Sequence, residues 1–122
     1  MSALTSVGAP ERVHKEIAFV EAIQVEQARS LIADESHWCR GELARDAKGR
    51  GVCPMSDDAT KRCGLGALIM AAYQITNDRR AAHDLAIKAM RPLRGSATLV
   101  NVNDVRGHAA VLAMFDEVIA AG

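Results

Sequence analysis

Apolar residues recur at steps of three and four along most of the chain, a spacing that predicts amphipathic helices. The first such pattern predicts a helix from about Glu11 to Ala33. A second pattern predicts a helix from Asp57 to about Gln74, with Ser56 or Asp57 as its N-cap. The middle of this helix, Gly64–Tyr73, is apolar on nearly every side. We therefore expect the second helix to be the central and most buried one.

Two further helices are indicated in the second half of the chain. Thr76-Asn77-Asp78 supplies capping residues for a third helix, which Pro92 would end. The segment Ser96–Val102 is interpreted as a short extended linker. A fourth helix follows, with Asn103 or Asp104 as its N-cap and an apolar face running along most of its length.

The stretch His37–Pro54 breaks the helical period and predicts a small two-stranded hairpin. Gly49 can adopt the positive φ that a tight turn needs, and Lys48-Gly49 is a suitable turn pair. The predicted fold is therefore mainly α, a compact bundle of about four helices with a β-hairpin inserted after the first helix. Residues 1–9 are expected to be a flexible tail, and residues 10–122 a single helical domain.

Composition and charge narrow the class of protein. The 122 residues are 49% apolar and 25% charged, which suits one soluble domain. Fifteen basic side chains balance fifteen acidic ones, so a nucleic-acid partner is disfavoured. The longest apolar run, Gly64–Tyr73, has about half the length of a membrane span, and no association with membranes is expected. An odd number of cysteines without a secretion signal indicates the cytoplasm and free thiols.

The cysteines offer a metal hypothesis and a simpler alternative. His37, Cys39, Cys53 and Cys63 are the ligand types of a structural zinc site that would fasten the hairpin to the second helix. Only His37 and Cys39 are close in sequence, whereas zinc sites usually take their ligands in tight pairs. The alternative is that the cysteines are small buried hydrophobic residues. No metal or other cofactor is therefore predicted, and the zinc-stapled domain stays open as an alternative.

A catalytic thiol is a further hypothesis for Cys63. It lies near the start of a predicted helix, after two basic residues, where its pKa could be lowered, and His83 or His108 could act as a base. The same position lies on the buried stripe of the helix, which favours a core cysteine. No catalytic residue is predicted, and the balance of the sequence is against an enzyme.

The stretch Asn103–His108 offers polar side chains around a helix N-terminus. Backbone N–H groups there could hold an anion such as a phosphate or carboxylate. Alternatively, Asn103 and Asp104 are simply the cap, and His108 is a residue at the edge of the core.

Several short motifs occur in this chain in an order that resembles the motif order of a known domain family. They are Trp38-x-x-Gly41, Ala44-x-Asp46-x-x-Gly49, Cys63-x-x-Gly66-Ala67-Leu68, Asn103-Asp104, and His108 before Val111-Leu112. This order is similar to that of a domain family of unknown function found in short bacterial and phage proteins. Glu42 and Val102 depart from the family pattern, and Val102 stands where a tryptophan is frequent. The resemblance implies no activity, substrate or partner, but it marks a candidate ligand or interaction site: Trp38, Cys63, Asn103, Asp104 and His108.

The leading hypothesis for function is a small cytoplasmic accessory protein that binds a partner protein or a second copy of itself. It rests on the neutral charge and on the lack of a strong catalytic or cofactor motif. Such a protein needs an exposed apolar patch or groove. The alternative is a small-ligand or anion-binding protein or an enzyme that uses Asn103, Asp104 and His108 near Cys63.

Overall fold

The computed structural model describes residues 20–121, and the structural statements below concern that part of the chain. The tail expected at residues 1–9 and the first part of the first predicted helix lie outside it. Within residues 20–121 there are five α-helices: α1 (residues 20–32), α2 (Gly64–Thr76), α3 (Arg79–Ala89), α4 (Ser96–Asn101) and α5 (His108–Ala121). None of these helices combines the length and apolarity that a bilayer crossing requires.

Two short strands accompany the helices: β1 (Ala44–Arg45) pairs antiparallel with β2 (Lys61–Arg62). The predicted class, mainly α with an antiparallel strand pair after the first helix, is confirmed. The turn expected at Gly49 is present, with φ at +81°, and it is closed by backbone hydrogen bonds from Asp46 to Arg50 (2.9 Å) and from Val52 to Ala44 (3.0 Å). The strand pairing beside it is limited to an isolated bridge between Arg45 and Gly51. The regular partner of β1 comes from further along the chain.

The turn at Gly49 is held by the side chain of Asp46. This carboxylate accepts hydrogen bonds from the backbone N–H groups of Lys48 and Arg50, each at 2.9 Å, and from the Arg50 guanidinium at 2.8 Å. The backbone bond from Arg50 is the main reason that the pKa of Asp46 lies below its ordinary value. A turn stabilised in this way needs no long ladder on either side.

The predicted start of the second helix is wrong by seven residues. The side chain of Ser56 accepts a hydrogen bond from the Asp58 N–H at 3.1 Å, but this bond closes only a turn. Backbone bonds from Thr60 to Arg45 (2.9 Å) and from Cys63 to Leu43 (3.1 Å) then hold the chain extended beside β1. The helix can therefore begin only at Gly64, after the strand has ended.

The expected extended linker, Ser96–Val102, is also wrong, because Ser96–Asn101 is the helix α4. The β-branched Thr98 and Val100 favour extended backbone locally, but Leu99 is fully buried among the side chains of the main core. Tertiary packing decides the conformation of this segment, and it raises the helix count of residues 20–121 from the expected four to five.

The central position predicted for α2 agrees with the packing. Leu68 contributes to a large hydrophobic cluster with residues of α1, α4 and α5, whereas Ile69 belongs to a smaller cluster with α3. The glycines of α2 allow close contacts: a Cβ at Gly66 would lie 2.0 Å from the carbonyl oxygen of Leu43, and one at Gly64 would lie 2.8 Å from a methyl group of Val111. The helix is thus enclosed between α5 and the segment around Leu43 that leads into β1, called here the β1 loop.

Candidate functional site

A buried asparagine lies at the centre of the candidate site. Asn103 is fully buried in a π-helical turn, Val102–Arg106, that joins α4 to α5. Its Oδ1 accepts hydrogen bonds from the Trp38 indole N–H (2.7 Å) and from the Gly64 N–H (2.9 Å). Its Nδ2 donates to the Cys39 carbonyl (3.1 Å) and to Asp104 Oδ1 (2.8 Å). The amide therefore has two partners on each of its polar atoms, which fills its ordinary capacity.

Asp104 and Arg40 extend this network towards the surface. Asp104 Oδ1 also accepts a hydrogen bond from the Gly41 N–H at 3.1 Å, and the Arg40 guanidinium donates to the Asp104 carbonyl at 3.1 Å. The guanidinium carbon of Arg40 lies 5.1 Å from the centre of the Trp38 ring, within range of a cation–π contact. Arg40 thus covers the outer side of the indole, and only 8% of Trp38 is exposed.

His108 joins the site from the first residue of α5. Its ring centre lies 5.4 Å from that of Trp38, in a tilted arrangement. Its Nε2 lies 2.6 Å from the carbonyl oxygen of Ile32, the last residue of α1. A carbonyl can only accept, so Nε2 carries the proton and donates. Trp38, Asn103 and His108 together hold the end of α1, the start of α2 and the start of α5.

The assignment of Asn103 or Asp104 as the N-cap of the last helix is wrong. That helix, α5, begins at His108 after Gly107, whose φ is +99° and whose carbonyl accepts the Val111 N–H at 3.1 Å. Asn103 does cap a helix, but the helix is α2, where it satisfies the N–H of the first residue, Gly64. A capping side chain is normally adjacent in sequence, whereas this one lies 39 residues away.

Cys63 provides the local cap of α2. Its Sγ accepts a hydrogen bond from the Gly66 N–H at 3.3 Å, and the residue is 4% exposed. Burial raises the pKa of the Cys63 thiol, and the N–H groups of Gly66 and Leu65 only partly oppose this effect. The expected lowering of the pKa by the helix start is therefore outweighed by desolvation. A neutral, buried thiol is a poor nucleophile.

Cys39 lies beside Cys63 and shares its surroundings. Its N–H donates to the Arg62 carbonyl at 3.1 Å, and burial, followed by the neighbouring Cys63, raises the pKa of its thiol to about 11. Cys53, by contrast, is exposed. No group of three or more His, Cys, Asp or Glu side chains in residues 20–121 is arranged to hold a metal ion, so the four proposed zinc ligands, His37, Cys39, Cys53 and Cys63, do not converge on one point.

This burial leads to a prediction about thiol reactivity. In the native protein, an aromatic disulfide reagent should modify Cys53 rapidly, while Cys39 and Cys63 should react only after unfolding, because their thiols are buried and protonated. Absorbance of the released aromatic thiol at neutral pH gives the number of reactive cysteines in the native protein and, with guanidinium chloride added, in the unfolded protein. The Cys53→Ser variant should lose the rapid phase, and rapid modification of a second thiol would contradict the structure.

A second candidate site is the groove between α1, α4 and α5, called here the α5 groove. It has a volume of about 650 Å³. Its apolar lining includes Ala22, Val25, Ala110, Ala113, Met114 and Val118. Its charged lining residues are Glu21, Arg94, Arg106 and Glu117. This mixture of an apolar floor and a few charged groups is typical of a binding surface.

The α5 groove was not among the sites predicted from the sequence. Its signal was the spacing of small residues on α5, where Ala110, Ala113 and Ala121 share one face with Glu117. Alanines at this spacing are also common on buried helix faces, and the pattern alone does not separate the two cases.

The fold and the site define a small, mainly α domain in which an asparagine from a distant turn caps the central helix. The chain belongs to a family of unknown function, DUF6197, whose model matches residues 21–121. The resemblance expected from the ordered motifs, to a family of unknown function, is thereby confirmed. No curated protein and no solved structure matches the chain.

Proposed function

We propose that the protein is a cytoplasmic accessory domain that acts by binding a segment of another protein in the α5 groove, rather than by catalysis. The observation that carries this proposal is the groove itself, about 650 Å³ with an apolar floor of small residues. A groove between helices is a recurrent docking site for an amphipathic helix of a partner. Ala113, which lies in the groove, is exposed and available for contact.

The alternative, a ligand site at Asn103, Asp104 and His108 near Cys63, has less support. Asn103 is fully buried, and its polar atoms are used by Trp38, Gly64 and other groups of the chain itself. His108 Nε2 is used by the carbonyl of Ile32. A ligand at this place would have to displace hydrogen bonds that hold three helices together, at a cost of about 1–3 kcal/mol for each group left unpaired.

Photo-cross-linking in cells tests the proposal. We expect a benzophenone amino acid at position 113 to give one discrete protein adduct, because Ala113 lines the groove. The same amino acid at Ala109, an exposed position one turn earlier on α5 that does not line the groove, is the matched control and should give no such adduct. Mass spectrometry of the adduct identifies the partner. An adduct of twice the chain mass would show that a second copy occupies the groove, and it would overturn the proposal of a separate partner.

Binding measured with purified components then decides the proposal. Ala113→Trp fills the groove and should weaken binding of the cross-linked partner at least tenfold, about 1.4 kcal/mol. Ala109→Trp should leave the dissociation constant unchanged, and circular dichroism should show both variants folded. Equal affinities for the two variants, or cross-linking that does not depend on the position, would overturn the proposed function.

A further inference from the structure

The α5 groove carries four charged side chains of both signs. Arg94 and Arg106 are the basic ones, and Glu21 and Glu117 are the acidic ones. The salt bridges within residues 20–121 join Arg29 to Asp116 and Arg50 to Asp46, so none of the four groove charges has an ion-pair partner in the described part of the chain. Charges at the edge of an apolar groove select the partner mainly by complementarity.

The signs of these charges narrow the class of partner. A nucleic acid or an anionic membrane surface would be repelled by Glu21 and Glu117, and a purely basic peptide would be repelled by Arg94 and Arg106. The groove therefore suits a partner with both acidic and basic side chains. A helical partner segment makes its backbone hydrogen bonds within itself. An extended segment would need backbone partners on this surface, but helices and one connecting loop line the groove, and they offer mainly side chains.

The order of the charges along α5 determines which order of acidic and basic side chains a partner helix needs. Arg106 lies two residues before α5, and Glu117 is the tenth residue of that helix. The part of α5 from His108 to Glu117 is about 14 Å long at 1.5 Å per residue, or about two and a half turns. A second helix that also reaches Arg106 therefore needs about three turns. Ala110, Ala113 and Met114 line the groove between these charged positions.

We infer that the partner segment is an amphipathic helix of about three turns whose apolar stripe lies on α5 between an acidic side chain at Arg106 and a basic side chain at Glu117. This inference rests on the proposed function and adds the chemistry of the partner. Acidic groups at the start of a helix and basic groups at its end are the arrangement that the helix dipole favours. A guest with that order of charges would lie parallel to α5.

Three synthetic helices test the inference. All have 14 residues, hydrocarbon staples and the same stripe of Ala, Leu and Met; one has Glu in the first turn and Lys in the last, one has Lys at both ends, and one has Glu at both ends. Fluorescence anisotropy at low salt gives their dissociation constants. We expect the mixed peptide to bind at least about tenfold more tightly than either of the others. Ala113→Trp should abolish this binding.

A charge reversal provides the specific control. Arg106→Glu makes both ends of the α5 segment acidic, so the peptide with Lys at both ends should become the tightest of the three. Arg80→Glu, at an exposed position of α3 outside the groove, should leave the order unchanged. If the peptide with Lys at both ends becomes the tightest binder in Arg106→Glu but not in Arg80→Glu, Arg106 is established as a residue that selects the charge of the bound helix. If the order of affinities stays the same in Arg106→Glu, the inference is overturned.

Negative results of these experiments distinguish a wrong charge pattern from a wrong proposed function. Equal binding of the three peptides that is lost in Ala113→Trp would overturn the charge pattern but leave the groove as a helix site. Failure of all three peptides would overturn the inference, while the cross-linking at position 113 would still decide the proposed function. A dimer in sedimentation that Ala113→Trp dissociates would show that a second copy occupies the groove, and it would overturn both the separate partner and its charge pattern.

Discussion

Gly66→Ala is expected to remove a large part of the folding stability of this protein. A Cβ at this position would lie 2.0 Å from the carbonyl oxygen of Leu43, well inside van der Waals contact, and the obstacle is backbone rather than a flexible side chain. Relief requires a shift of the β1 loop away from α2, which would strain the backbone bond from Cys63 to Leu43. We expect a loss of about 3 kcal/mol or more, at the upper end for overpacked cores. Urea denaturation followed by circular dichroism measures it.

Two comparisons make this result specific to the close approach at Gly66. Gly64→Ala should destabilise less, because its nearest obstacle, at 2.8 Å, is a side-chain methyl group of Val111 rather than backbone. Gln74→Ala, at an exposed position of the same helix, should change the free energy of unfolding by less than about 0.5 kcal/mol. A cooperative, near wild-type transition for Gly66→Ala would refute the packing of α2 against the β1 loop.

Asn103→Leu is expected to have an effect of similar size for a different reason. Leucine matches asparagine in the number and branching of its side-chain heavy atoms but leaves the Trp38 indole N–H, the Gly64 N–H and the Cys39 carbonyl without their partner. At about 1–3 kcal/mol for each buried group left unpaired, the total is about 3 kcal/mol or more. Because Trp38 is the only tryptophan, its fluorescence reports directly on this site during urea denaturation.

The matched control for this variant is Asn101→Leu. Asn101 is exposed at the end of α4, so its replacement should have little effect. Asn103→Asp should be intermediate, since it keeps the acceptor for Trp38 and Gly64 but loses the donor to Cys39 and places a second carboxylate beside Asp104. Equal destabilisation by Asn101→Leu and Asn103→Leu would contradict the network.

Patterns within a segment predicted the helices whose conformation depends mainly on residues of that segment. The period of apolar residues located α2 and α3, and Asp78 caps α3 as its position suggested, accepting from the N–H groups of Arg80 and Ala81. The strand β2 and the helix α4 were missed, because each owes its conformation to distant contacts: β2 to the pairing with β1, and α4 to the burial of Leu99. Neither contact has a signature in the segment itself.

The candidate site shows the same division. The ordered motifs singled out Trp38, Cys63, Asn103, Asp104 and His108. In the structure Asn103 is hydrogen-bonded to Trp38 and Asp104, and His108 lies beside Trp38. Cys63 directly precedes Gly64, whose N–H donates to Asn103. Their roles could not be derived from sequence, because Asn103 looks like the cap of the helix that follows it. Its actual partners, Trp38 and Gly64, lie 65 and 39 residues away. Only the folded chain shows that Asn103 caps α2, a helix that begins 39 residues earlier in the sequence.

The position of Asn103 restricts how this family could diverge. Two of its partners, the Gly64 N–H and the Cys39 carbonyl, are backbone groups, which every residue except proline at position 64 would keep. A replacement at position 103 therefore cannot be compensated by a change in a neighbouring side chain, and glutamine, longer by one methylene, would displace the amide from both groups. We expect family members to retain asparagine here even where their partners differ. Its invariance would record the architecture of the domain rather than a shared ligand.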